Sequence, residues 1–133
     1  GIGYGDEVIT TPLTMSATAT AILSNNAVPV FADVDPISLN LDPASVAKKI
    51  SSHTKAILAV HLTGHPSDMD PLIDLESSWA FLAEDNAQAP GAKYRGRNTG
   101  CLGDIGVFSL NCHKTIQAGE GGVAVANDDD LAL

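Results

Sequence analysis

Thr54-Lys55-Ala56-Ile57-Leu58-Ala59-Val60-His61-Leu62 is apolar from Ala56 onward except for one histidine, and Gly64-His65-Pro66 stops it. A strand that is apolar at successive positions, not only at alternate ones, is buried on both faces, as in a parallel sheet covered by helices. On the carboxyl side, Ser67 or Asp68 is expected to cap a helix from Met69 to Glu76, with Leu72, Ile73 and Leu75 apolar. Trp79 to Ala83 then reads as a strand that delivers Glu84-Asp85 at its end. On the amino side, Asp42-Pro43 supplies an N-cap and a first-turn proline for a helix over Ala44 to Ile50. Val28 to Ala32 reads as a strand closed by Asp33-Val34-Asp35-Pro36. Before it, Val8-Ile9-Thr10 is a short strand ended by Pro12, and Thr14 or Ser16 would cap a helix over Ala17 to Asn25. After a loop containing Lys93 to Gly100 come two closely spaced strands, Ile105 to Leu110 and Val123 to Ala126. This order predicts an α/β fold whose mainly parallel sheet is flanked by helices, with room for one antiparallel member.

The chain has 133 residues, 44% of them hydrophobic, enough for one modest core. Sixteen acidic against seven basic residues give a formal charge of −9, so neither nucleic acid nor an anionic membrane is an expected partner. A phosphate-bearing ligand would have to be held locally, by backbone N–H groups, hydroxyls and one or two cations. Cys101 and Cys112 match no metal spacing and no disulfide framework, which points to a reducing cytoplasm. No apolar run reaches the length of a membrane span. Gly1 stands where an initiator methionine would, and Asp128-Asp129-Asp130 opens a helix-like start just before Leu133; a fragment is expected.

The chemistry concentrates in Phe108-Ser109-Leu110-Asn111-Cys112-His113-Lys114, running into Gly119-Glu120-Gly121-Gly122. Lys48, Lys49 and Lys55 lie on or beside a surface helix, and Lys93, Arg95 and Arg97 share a polar loop. Lys114 alone falls between two strands that read as buried, where desolvation would lower its pKa and favour a nucleophilic amine. A second stretch, Glu84-Asp85-Asn86-Ala87-Gln88-Ala89-Pro90-Gly91, ends a buried strand with carboxylates that either cap the turn or face a ligand above the sheet. If Asp85 and Lys114 share that crevice, the pair suits pyridoxal 5′-phosphate: the amine bonds the aldehyde carbon and the carboxylate keeps the pyridine nitrogen protonated. Ser109 could then bond the phosphate. Taken singly, each residue also has an ordinary reading, as a strand-end lysine, a turn cap and a satisfied strand hydroxyl.

Seven motifs in order, Gly5-Asp6-Glu7-Val8-Ile9, Pro29-Val30-Phe31-Ala32-Asp33, Thr54-Lys55-Ala56-Ile57, Val60-His61-Leu62 with Gly64, Asp68-Met69, Glu84-Asp85 with Ala87-Gln88-Ala89, and Phe108-Ser109 with Lys114 and Gly119-Glu120-Gly121-Gly122, closely resemble the DegT/DnrJ/EryC1/StrS family. Its members are pyridoxal-phosphate sugar aminotransferases of the aspartate-aminotransferase fold, fold type I. The resemblance implies that Lys114 is the Schiff-base lysine, Asp85 the pyridine-nitrogen partner, Gln88 a contact near the cofactor's O3′ and Ser109 a phosphate ligand. It further implies a nucleotide-linked keto-sugar as substrate, glutamate as amino donor, and a homodimer.

Three departures accompany the resemblance. Many relatives place an aromatic residue after the threonine of the Pro12 to Thr14 region to stack on the cofactor; here Met15 stands there, a candidate whose thioether covers a ring face with less orientation. The family's amino-terminal phosphate loop would lie before Gly1 and its small domain after Leu133, so residues 1–133 are expected to be part of the large, cofactor-binding domain. The helix between Asp68 and Trp79 is slightly short. Related sugar dehydratases carry histidine in place of the lysine, but here His113 precedes Lys114 and the spacing from Ser109 keeps an amine in position. A dehydratase and a non-catalytic regulator are the alternatives. His61 faces the crevice or packs at a strand end, Glu120 stabilises a turn, Cys112 is a packing residue, and the Lys93 to Arg97 cluster either holds an anionic sugar nucleotide or is solvated.

Overall fold

The computed structural model describes residues 1–76 and 80–131. Six strands, β1 (Glu7–Thr10), β2 (Val28–Phe31), β3 (Thr54–Val60), β4 (Phe81–Asp85), β7 (Ile105–Ser109) and β8 (Gly122–Ala126), form one sheet in the order β2-β1-β3-β4-β7-β8. All neighbours are parallel except β7 and β8, which pair antiparallel from Ile105↔Ala126 to Ser109↔Gly122. The remaining pair, β5 (Lys93–Tyr94) and β6 (Arg97–Asn98), is a separate hairpin. Arg95 and Gly96 both have positive φ, 47° and 83°, which allows a two-residue loop matched to strand twist where the sequence suggested only a loop.

The chain goes from β1 to β2 in one direction and from β2 back across β1 to β3 in the other. Reversing direction with right-handed crossovers puts successive helices on opposite faces. Accordingly α1 (Ser16–Ser24) packs with Val8, Ala27 and Ala56 through Ile22, while α2 (Pro43–Lys49) and α3 (Met69–Glu76) cover Ile9, Ile57, Ala59 and Leu82 through Val46, Met69 and Leu72. Alternate residues of β3 thus serve two cores, which is why its sequence is apolar at successive positions. Each fully buried Leu or Ile contributes about 1.5–3 kcal/mol.

Several local expectations need correction. β3 ends at Val60, because His61 turns away and begins the tight turn Leu62–Gly64. β4 runs two residues later than predicted, so Glu84 and Asp85 lie inside the strand and point to opposite faces; Trp79 lies outside the described residues. The N-cap of α1 is Met15 and has no side-chain cap bond, since the Thr14 hydroxyl pairs with that of Thr18 at 3.0 Å. The Ser67 hydroxyl bonds the Val60 carbonyl and the Asp68 carboxylate accepts from Tyr94, so both side chains brace neighbouring elements. Asp128 to Leu131 forms a turn closed by Leu131 N–H to the Asp128 carbonyl at 3.1 Å.

β7 is held close to the loop before it. A side chain at Gly106 would run into the backbone of Gly100, and one at Gly100, itself at φ 91°, would come within 2.6 Å of the Phe108 ring. The same loop is latched from β4. Glu84, fully buried, accepts from the backbone N–H groups of Gly100 (2.8 Å), Leu102 (2.7 Å) and Gly103 (2.9 Å), and from His61 Nε2 at 2.9 Å. His61 Nδ1 accepts from Ser67 N–H at 3.0 Å, which fixes the neutral tautomer with its proton on Nε2. His61 is therefore the packed strand-end residue, with no face toward a crevice.

Burial pushes the Glu84 carboxyl up, but the His61 bond and the N–H groups of Gly100, Gly103 and Leu102 outweigh it and hold the pKa below the ordinary 4.5. A lowered folded pKa gives stability that is present above about pH 4.5 and is lost as pH falls through the folded value. Glu84→Gln in the full-length protein should lower unfolding free energy at pH 6 by about 2–3 kcal/mol, with the gap from wild type narrowing toward pH 3. Urea titrations at the two pH values check this; a gap independent of pH would contradict it.

Candidate functional site

Strand parity builds the site. Leu58, Asp85, Val107 and Ser109 share the α1 face of the sheet, because Val60 pairs with Asp85, Asp85 with Val107, and alternate residues repeat the direction. Beside α1 this face opens into a cavity of about 650 Å³. Met15, Asp85, Gln88, Ser109 and Lys114 all line it, together with Thr14, Thr18 and Asn111. Five residues singled out from three parts of the sequence thus reach one space, on the sheet's face near the carboxyl ends of β3, β4 and β7.

Asp85 is fixed from two elements. Its Oδ2 accepts from Thr18 Oγ1 on α1 at 3.1 Å and its Oδ1 from its own loop, Ala87 N–H, at 3.0 Å. It is both turn cap and cavity carboxylate, the two roles that the sequence left open. Gln88 is oriented by Thr63, whose N–H donates to Oε1 at 2.8 Å and leaves the amide NH₂ available as a donor. Thr63 sits at φ 55° and Gly64 at φ 84°, with the Gln88 carbonyl 3.2 Å from where a Gly64 side chain would begin.

Lys114 lies in the loop joining β7 to β8. Leu110 N–H bonds the Gly121 carbonyl at 2.9 Å and Ala118 N–H the Leu110 carbonyl at 2.8 Å, closing the loop at its base. Asn111 Nδ2 donates to both Glu120 oxygens, at 2.8 and 3.0 Å, so Glu120 holds the turn as expected. Lys114 is half-buried, and β8 is an edge strand largely exposed at Gly122 to Ala124; the expectation of two buried strands around the amine fails, because β8 pairs on one side only. Its place in the cavity wall is what sets Lys114 apart. Among the described residues the one ion pair made by a lysine or arginine is Arg95–Asp70, so the Lys114 ammonium has no carboxylate partner there. His113 lines the cavity as well, whereas Cys112 is exposed and not the packing residue predicted. Lys93, Arg95 and Arg97 lie on the hairpin, outside the cavity wall.

Sequence reading missed Thr14 and Thr18. Their i, i+4 spacing was the available signal, since it puts two hydroxyls on one side of a helix start. Ser109 accepts from Asn111 N–H at 3.3 Å and keeps its own proton to donate.

The donor set fits pyridoxal phosphate. Apolar walls from Ala17, Ala21, Leu58, Ala87 and Val107 suit a planar ring. Asp85 provides an acceptor for a ring N–H, Gln88 an N–H for a phenolic oxygen, Ser109 an O–H for phosphate, and Lys114 an amine. Among the described residues, no group of three or more His, Cys, Asp or Glu could hold a metal ion, and no helix is long and apolar enough to cross a membrane.

The chain is similar to known proteins along its whole length. It is 47% identical over 133 residues to GDP-perosamine synthase of Caulobacter vibrioides, covering 99% of this chain and 36% of that protein. It is 46% identical over 133 residues to L-glutamine:2-deoxy-scyllo-inosose aminotransferase of Streptoalloteichus tenebrarius, covering 99% and 31%. The structure of S. venezuelae DesV in complex with a ketimine intermediate superposes with a TM-score of 0.95 at 42% identity, covering 99% of this chain and 36% of that one. The chain thus spans about a third of the length of these relatives. The model of the DegT/DnrJ/EryC1/StrS aminotransferase family matches residues 1–133, and the chain belongs to that family.

Proposed function

We propose that the full-length protein transfers an amino group from an amino acid to the keto carbon of a nucleotide-linked sugar, in amino-sugar biosynthesis, as a homodimer. The observation that carries this reading is the single cavity lined by Lys114, Asp85, Gln88, Ser109 and Met15. The cofactor is pyridoxal phosphate, supported by the family and by a relative's structure with bound pyridoxamine phosphate. When bound, it supplies an electrophilic carbon and an electron sink.

The chain's own residues have distinct tasks in this proposal. Lys114 Nζ holds the cofactor covalently between turnovers and, once released, carries a proton from the amino-acid carbon and later to the sugar carbon. The Asp85 carboxylate holds a proton on the ring nitrogen. Gln88 donates to the phenolic oxygen, Ser109 donates to phosphate, and the Met15 thioether covers a ring face. The apolar walls keep water from the amine, so its proton goes to carbon and not to solvent.

Glutamate is the proposed donor, and the name of the Streptoalloteichus relative makes glutamine the rival. Full-length protein with pyridoxal phosphate, offered each donor with a panel of nucleotide-linked keto-sugars, should release α-ketoglutarate from glutamate and yield an amino sugar heavier by about one mass unit than its ketone precursor. Keto-acid release only with glutamine would reassign the donor; no amino sugar with any member of the panel would contradict the reading.

A further inference from the structure

We propose that Thr18 is a positioning residue that aims Asp85 at the cofactor's ring nitrogen, with Thr14 completing a two-hydroxyl relay behind it. This inference rests on the reading above that Asp85 partners that nitrogen. Thr18 is 4% exposed, and its hydroxyl sits 3.1 Å from Asp85 Oδ2 and 3.0 Å from the Thr14 hydroxyl.

The proton order follows from chemistry. An ionised carboxylate only accepts, so Thr18 must donate to Asp85. That leaves only lone pairs on Thr18 Oγ1, so Thr14 must donate to Thr18. The chain of donors runs one way, from the start of α1 to the carboxylate, and each bond polarises the next.

The geometry gives this relay a purpose that the turn alone does not fill. Ala87 N–H holds only Oδ1. The carboxyl torsion of an aspartate is broad, so one bond leaves the plane free to swing. The Thr18 bond comes from a different element, across the cavity wall, and pins the second oxygen. Two anchors fix the plane while each oxygen keeps a lone pair for a ring N–H. The ordinary alternative, that Thr18 merely ties α1 to the sheet, predicts a loss that does not depend on what occupies the cavity.

The test uses that difference. Affinities of full-length wild type, Thr18→Val and Thr18→Ser are measured for pyridoxal phosphate and for its carbocyclic analogue, in which C–H replaces the ring nitrogen. Wild type should prefer pyridoxal phosphate. Thr18→Val, nearly the same shape without the hydroxyl, should bind pyridoxal phosphate about tenfold more weakly and the analogue within a factor of about two of wild type. Thr18→Ser should restore the preference. If valine prevents folding, Thr18→Ala, which favours the helix, takes its place. Equal weakening toward both ligands, or a preference retained by Thr18→Val, would overturn the inference while leaving the reading of Asp85 intact. Absence of any preference in wild type would overturn both.

Discussion

Replacing Lys114 by alanine in the full-length protein is expected to slow amino transfer by about 10⁴-fold with no loss of folding. The loop that carries it is closed at its base by Leu110–Gly121 and Ala118–Leu110 backbone bonds and by Asn111 on Glu120, none of which uses the lysine side chain. Lys114→Arg should be as slow as alanine: a guanidinium keeps the charge but gives up neither a proton nor a nucleophilic lone pair. Single-turnover rates, with urea midpoints as the folding control, separate the two roles. Activity retained by arginine would mean that Lys114 serves only as a positive charge.

Asp85→Asn should lower the rate by about 10²–10³-fold. The amide keeps the shape of the carboxylate, and its oxygen can still accept from Ala87 N–H. It removes the negative charge that holds a proton on the ring nitrogen, so the electron sink is lost while the turn survives. The variant should also bind cofactor more weakly without a change in unfolding midpoint. A variant with wild-type rate would place the ring nitrogen elsewhere. The rate measured with the carbocyclic cofactor supplies the control: the Asn substitution should matter little once the ring has no nitrogen.

Much of the fold was legible because one stretch constrains it. Ala56 to Val60 is apolar at successive positions, and only a strand with helices on both sides accommodates that; the structure places α1 on one side and α2 and α3 on the other. Asp42-Pro43 marked its helix start correctly, with Asp42 accepting from Ala44 N–H at 3.0 Å. Strand ends were less legible. A two-residue error at β4 hid the fact that Glu84 and Asp85 face opposite ways, one to a buried latch and the other to the cavity. Composition cannot say which of two adjacent acids does which, since parity depends on where the strand begins.

The candidate site was legible through the family resemblance, to the extent that its residues share one cavity, and its supports were not. Lys114, Asp85, Gln88, Ser109 and Met15 were named in advance and line one cavity. Thr18, Asn111 and Thr63 act by bonds across 67, 9 and 25 residues of chain. The Thr18–Asp85 and Thr63–Gln88 contacts leave no local pattern, because tertiary packing alone brings the partners together; the local signal at Thr18 is its i, i+4 spacing from Thr14. The expectation of two buried strands around Lys114 failed for a related reason: among the described residues β8 pairs only with β7, and an apolar strand does not say in sequence how many neighbours it has.

The most direct test of the central claim is to mix full-length protein with pyridoxal phosphate, reduce with borohydride, digest, and map the adduct by mass spectrometry. A visible absorption band that borohydride bleaches, with a single cofactor adduct on the peptide containing Lys114, is the predicted result. An adduct on Lys93 or another lysine, or no band and no adduct at all, would contradict it.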